Sequence, residues 1–181
     1  SLIVSIGLGL SFLVLHLPVL WFLPAFVASI DVFRLLTVSI VFSSLSILPG
    51  YYLMAIDRQN WLVPLGLAAV AFNYLVGLAT IRAGMGLPGV AGAAATGLFL
   101  HCTCVLVICG RYARGSAAAA LRWVAETYLP VAYVAAAVAA IRLGVPRTPL
   151  GAWTETARAG AEGTLFLLVS LPLLVLFERR T

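Results

Sequence analysis

Few residues in this 181-residue sequence combine a type and a spacing that chemistry can use. His101-Cys102-Thr103-Cys104 has the outline of a metal motif. On a helix only His101 and Cys104 face the same way, so at most two ligands are offered where zinc takes three or four. Small polarizable residues packing in a bundle is the reading these positions fit, and no metal and no cofactor is expected. The six acidic residues are dispersed, and only Glu155 and Glu162 share a region. No carboxylate pair or His–carboxylate pair of the kind acid–base catalysis needs stands out, so no catalytic residue is assigned. His16, beside Leu17-Pro18 in an apolar run, is open to two readings. One is an ionisable group with a role inside a membrane; the other is a neutral ring bonding a neighbouring helix.

The elements that would hold these residues follow from composition. The chain is 63% hydrophobic and only 9% charged, where soluble domains carry about 25% charged residues. A soluble fold of this size cannot hide that much apolar surface. In lipid, backbone groups must be satisfied within helices or a closed barrel. The apolar runs are longer than strands need and do not alternate, so the expected fold is all-α, a polytopic membrane helix bundle. About six stretches reach the length of a membrane helix. They are residues 2–23, 30–56, 61–81, 89–110, 121–141 and 159–177. The fifth is the shortest in purely apolar residues. Ahead of it, Leu121, Val124, Ala125 and Tyr128 share one helical face, while Arg122 and Glu126 share another at pairing distance. One long helix entering from the interface is expected there, with an interfacial helix plus a re-entrant segment as the alternative. Residues 142–158, with Pro146, Pro149 and Gly151, read as the longest loop.

Two further features bear on mechanics. Pro49-Gly50 sits deep in the second run, where proline removes a helical hydrogen bond; it is either an inert kink or a hinge lining a cavity. Gly89, Ala93 and Gly97 stack one above another and would let a second helix backbone approach closely.

The formal charge is +5, carried by eleven Arg and no Lys. No basic run points to nucleic acid. With six spans, one side holds Arg58, Arg111, Arg114, Arg122, Arg179 and Arg180, and the other holds Arg34, Arg82, Arg142, Arg147 and Arg158. The dense turn around Arg111 and Arg114 favours cytosolic ends. The chain opens Ser1-Leu2-Ile3-Val4 without Met or a basic leader, and is expected to be a fragment of a longer protein.

Three stretches carry a resemblance. They are Phe22-Leu23-Pro24-Ala25-Phe26-Val27-Ala28 followed by Val32-Phe33-Arg34-Leu35-Leu36; Tyr51-Tyr52-Leu53-Met54-Ala55-Ile56-Asp57-Arg58-Gln59; and Asn73 followed by Leu87-Pro88-Gly89-Val90-Ala91-Gly92-Ala93-Ala94-Ala95-Thr96. In this order they resemble the C-terminal half of polysaccharide and oligosaccharide-lipid flippases, in the superfamily that includes multidrug and toxin extrusion transporters. The third run is shortened by a residue or two against the family pattern, and beyond residue 110 the likeness is only hydropathic. The resemblance implies one six-helix lobe of a two-lobe, alternating-access transporter in the cytoplasmic (inner) membrane. Its partners would be membrane lipids, a lipid-linked glycan and an N-terminal lobe absent from this chain. It would flip lipid-linked oligosaccharide for cell-surface polysaccharide such as lipopolysaccharide. A multidrug or cation antiporter of the same fold is the first alternative, favoured by a carboxylate buried in a lobe core; a membrane glycosyl- or acyltransferase is the second. A glycan pyrophosphate needs cationic partners, and Arg is suited to phosphate. Arg34, Asn73, Arg122 and His16 are therefore the cavity candidates, with Pro49, Gly50, Gly89, Ala93 and Gly97 as hinge and packing candidates.

Overall fold

The structure is a computed structural model that describes residues 2–14, 16–22, 24–144 and 152–178. Among these the regular elements are all helical. In order they are α1 (Leu2–Val14), α2 (His16–Phe22), a 3-10 segment (Pro24–Ser29), α3 (Ile30–Ala55), a 3-10 turn (Gln59–Trp61), α4 (Leu62–Arg82), α5 (Gly86–Arg114), α6 (Ala117–Gly144) and α7 (Ala152–Glu178). Among the described residues four stretches are long and apolar enough to cross a membrane: Ile30–Ala55, Gln59–Arg82, Gly86–Arg114 and Ala117–Ile141. The first apolar run of the sequence is carried by α1 and α2, and the last by α7.

Local sequence explains where the helices stop and start. α3 closes in a Schellman motif: Arg58 N–H donates to Leu53 O at 2.8 Å and Asp57 N–H to Met54 O at 3.1 Å. Asp57 takes the left-handed position with φ 61°, a conformation that Asp tolerates better than most residues. α4 ends the same way around Gly84, with Met85 N–H donating to Thr80 O and Gly84 N–H to Ile81 O, both at 3.0 Å. Pro64 and Pro88 are the third residues of α4 and α5, inside the first turn, where no helical donor is lost. α5 is capped by Gly115, whose N–H donates to Arg111 O at 3.0 Å. Ser116 Oγ then accepts from Ala119 N–H at 3.2 Å to start α6, the usual work of a serine N-cap.

Two expectations change. The fifth segment is a single helix, α6, the first of the two readings given for it, and it runs through Pro130, but the face it buries is not the expected one. Its buried face is Ala120, Val124, Pro130, Val134, Val138 and Ile141, while Leu121 and Ala125 point outward. The reason is at the α5–α6 turn. A Cβ placed on Gly110 would lie 3.0 Å from Ala120 Cα, so only a small residue fits inward and the larger Leu121 is rotated away. The loop expected over 142–158 is helical at both ends, since α6 reaches Gly144 and α7 begins at Ala152. Residues 145–151, including Pro146, Arg147, Pro149 and Gly151, lie outside the described residues, as do Arg179 and Arg180. α3 runs from Ile30 to Ala55 as one helix with Pro49 and Gly50 inside it.

The chain divides into two compact units, Ser1–Ile30 with Tyr128–Thr181, and Asp31–Thr127. In the first, Leu13, Val134, Val138, Ile141 and Phe166 form the core, with Ile6, Leu10, Val14 and Ala137 packed around it. Tyr133 Oη donates to Val169 O at 3.0 Å and ties α6 to α7. In the second, Leu53, Val105 and Cys109 form a core with Ile56, Leu62, Leu65, Ile108 and Trp123 around it. Phe42 and Phe99 meet edge to face at 5.1 Å between ring centres.

Phe166 has no exposed surface, and a Cβ on Gly9 would fall 2.4 Å from its Cζ. Phe166→Ala is expected to cost about 3–5 kcal/mol, as for other buried aromatic truncations. Gly9→Ala should be destabilising in the parent but much less so in the Phe166→Ala background, because the added methyl then enters the cavity. A double-mutant cycle of unfolding in lipid–detergent micelles measures this, and simple additivity of the two costs would refute the contact.

Candidate functional site

Charge inside an apolar helix must be paired or it is expensive, so buried ionic groups locate candidate function. Arg158 and Glu162 on α7 form such a pair. Arg158 Nε donates to Glu162 Oε1 at 2.9 Å, with side-chain exposures of 19% and 5%. The pair lies where the polar start of α7, Ala152 to Arg158, gives way to its apolar run. It is turned inward by the helix period. Ala159, Glu162, Gly163, Phe166 and Ser170 are all buried, and they recur at the three-and-four spacing of one face.

Neighbouring elements explain why the carboxylate is covered. A Cβ on Gly163 would lie 3.5 Å from Leu10 and 3.9 Å from Val14, so α1 lies directly against α7 beside Glu162. Trp21 on α2 donates its Nε1–H to Thr156 Oγ1 at 3.0 Å, near the start of α7. Two turns beyond Glu162, Ser170 Oγ is buried with no hydrogen-bond partner among the described residues. This face of α7 thus combines a buried ion pair, a tightly packed aromatic and an unsatisfied hydroxyl.

The residues singled out from the sequence fall elsewhere. Arg34 is the fifth residue of α3, 21% exposed, and bonds Asp31 Oδ1 through Nη1 at 3.1 Å; Asp31 itself is 78% exposed. Arg122 is 83% exposed and pairs with Glu126 at 3.0 Å. It sits by the Leu53 end of α3, because its neighbour Trp123 packs on the Leu53 cluster. Arg34 is nineteen residues from Leu53 along α3, roughly 28 Å at the helical rise, so the structure does not bring Arg34 and Arg122 together. Asn73 is exposed on α4. Its Cβ would be 3.8 Å from one built on Gly97, so the two are neighbours across the α4–α5 contact. Gly89, Ala93 and Gly97 are buried on α5. At Gly89 a Cβ would come 2.8 Å from Thr80 Cβ. Pro49 and Gly50 are buried, yet a Cβ on Gly50 meets nothing within 4 Å. His16 begins α2, and its side chain lies outside the described residues.

His101 is half-buried, with Nδ1 covered and unbonded among the described residues. Cys102 and Cys109 are buried and Cys104 is exposed. No group of three or more metal-binding side chains occurs among the described residues.

Sequence reading set Glu162 near one end of the last run, open to sitting some way inside it, and did not pair it with Arg158. Its one legible signal was local: Arg158 and Glu162 at i,i+4 share a stripe with Ala159, Gly163 and Phe166. Placing 142–158 in a loop removed Arg158 from the helix and hid that stripe.

With the geometry in hand, the chain is a helical membrane protein; comparisons with protein-family models, with curated proteins and with solved structures return no match.

Proposed function

We propose that the chain is one lobe of a membrane transporter that flips lipid-linked oligosaccharide across the cytoplasmic membrane. The observation that carries transport is the Arg158–Glu162 pair, a buried carboxylate held by a largely covered guanidinium on the core-facing side of an apolar helix. Such groups are costly in lipid and are kept where a substrate or a coupling ion is handled. The choice of cargo rests on the three sequence stretches that resemble the flippases. Arg34 supports it, being largely covered yet close to the helix end, where a pyrophosphate headgroup would pass. Membrane lipids, the glycan lipid and a second lobe would be the partners, alternating access the mechanism, and no residue is assigned a catalytic role.

A second reading is an antiporter of the same fold carrying drugs or cations. The burial of Glu162 favours it, because cation coupling needs a carboxylate in a lobe core.

Arg34→Ala separates the two. Asp31 is mostly exposed, so the substitution leaves no buried unpaired carboxylate, and the level of folded protein is read beside export. In cells whose glycan export depends on this protein, Arg34→Ala should abolish export, and Arg34→Lys should restore it in part because the charge returns without the planar fork. Unimpaired export in Arg34→Ala cells would take Arg34 out of the site. A drug-efflux phenotype in cells with intact glycan export would establish the antiporter reading instead.

A further inference from the structure

One end of the Asp31–Thr127 unit collects arginine and aromatic side chains from two connections, α3–α4 and α5–α6. The Schellman turn at Asp57 ends α3 and delivers Arg58 over the face of Tyr112, with the guanidinium carbon 5.4 Å from the ring centre. Trp61, at the start of α4, donates its Nε1–H to Tyr112 Oη at 3.3 Å. Tyr112 lies in the last turn of α5, between the exposed Arg111 and Arg114. Trp61 and Tyr112 remain 48% and 42% exposed. Arg122 follows one turn into α6, engaged by Glu126.

The bland account is that cations at a helix C-terminus offset the macrodipole. It covers Arg111 and Arg114 at the end of α5, and Arg58 just past the end of α3. It does not account for the seating of Arg58 on an aromatic ring that is itself oriented by a second aromatic. Amphipathic Trp and Tyr rings settle at the depth of lipid headgroups. An arginine stacked on such a ring keeps its donors directed outward at that depth. Its planar fork binds phosphate oxygens in pairs. The acids at this end are Asp57 and Glu126, against Arg58, Arg111, Arg114 and Arg122. Since Glu126 is taken up by Arg122, an excess of positive charge is presented by Arg58, Arg111 and Arg114. The opposite end of the unit carries only Arg34, paired with Asp31, and Arg82.

We propose that the Arg58–Trp61–Tyr112 cluster, with Arg111 and Arg114, is a binding site for the phosphate headgroup of anionic phospholipids. The site holds this end of the unit at the anionic leaflet surface. The inference is independent of the cargo the protein carries.

The test is lipid retention by the purified full chain, read by native mass spectrometry after exchange into mixed micelles holding equal phosphatidylglycerol and phosphatidylcholine. The parent should retain phosphatidylglycerol over phosphatidylcholine by about fivefold for each arginine engaged. Arg58→Gln with Arg111→Gln and Arg114→Gln should erase the preference, while Arg82→Gln at the opposite end should leave it intact. Equal retention of the two lipids by the parent, which requires no variant to fold, overturns the proposal. So does a preference that survives the triple substitution. Millimolar inorganic pyrophosphate should leave the bound phosphatidylglycerol in place; its displacement would reassign the site to a soluble phosphate ligand.

Discussion

Glu162→Leu is expected to destabilise the folded protein by about 3 kcal/mol, the lower end of the cost of breaking a buried ion pair by removing one partner. The asymmetry of the pair sets this cost. Glu162 is 5% exposed and Arg158 is 19% exposed, so deleting the carboxylate leaves a mostly covered guanidinium beside new apolar surface. Removing both charges has a different outcome. Buried ion pairs are often matched or exceeded by apolar residues of similar volume, so Arg158→Met with Glu162→Leu should recover most of the lost stability. The two singles and the double, compared by denaturant titration in the same micelles, measure the coupling. A double variant as unstable as Glu162→Leu would show that Arg158 contributes through something other than this pair.

Function separates from stability in a second substitution. Glu162→Gln keeps the volume and one carbonyl acceptor for Arg158 but cannot carry charge. If Glu162 serves a coupling ion, Glu162→Gln should remove transport driven by an ion gradient while the protein remains folded. If the pair only fixes α7 against α1, transport by Glu162→Gln should follow its stability and nothing more.

The other large effect lies in the α4–α5 contact. Gly89→Ala should destabilise by about 1–3 kcal/mol, the range of overpacking in a filled interface. The added carbon would stand 2.8 Å from Thr80 Cβ and 2.7 Å from Met85 Cβ, both close to the backbone and unable to swing aside. Gly97→Ala should be milder, since its nearest neighbour is the Phe72 ring edge at 3.4 Å, which needs only a small shift. Gly92→Ala should be neutral or stabilising by about 0.5–1 kcal/mol. It meets nothing within 4 Å, so alanine brings only its better helix propensity. The three glycines occupy one short stretch, so the ordering isolates contact from composition. Unfolding midpoints in one lipid mixture read it directly. Equal effects at Gly89 and Gly92 would show that α4 does not approach α5 at Gly89. In lipid such close approach matters more than in water, because packing rather than apolar burial holds helices together.

Properties set by neighbours in sequence were readable from the sequence. Apolar run length determined that α3, α4 and α5 are membrane-length helices, and turn residues set their ends to within a few positions. The turn around Gly84 and Gly86 and the cap at Gly115 occur where left-handed backbone is needed. The spacing of Arg122 and Glu126 likewise placed them in pairing distance on one helix. The stacked small residues of α5 were visible for the same reason, since a helix brings i and i+4 together whatever surrounds it.

The tertiary structure alone decided which faces point inward. Leu121 and Val124 are both apolar, yet Leu121 is 60% exposed and Val124 7%, with Ala120 set against Gly110 between the two helices. The aromatic seat of Arg58 joins residues fifty-four positions apart in sequence, Arg58 and Tyr112, and no periodicity relates them. Glu162 shows the same limit most plainly. Its partner Arg158 is one helical turn away, but its withdrawal from solvent depends on α1, about 150 residues earlier, approaching at Gly163. A sequence records where charges occur along a helix. Whether a charge meets water, lipid or another helix depends on elements distant in the chain.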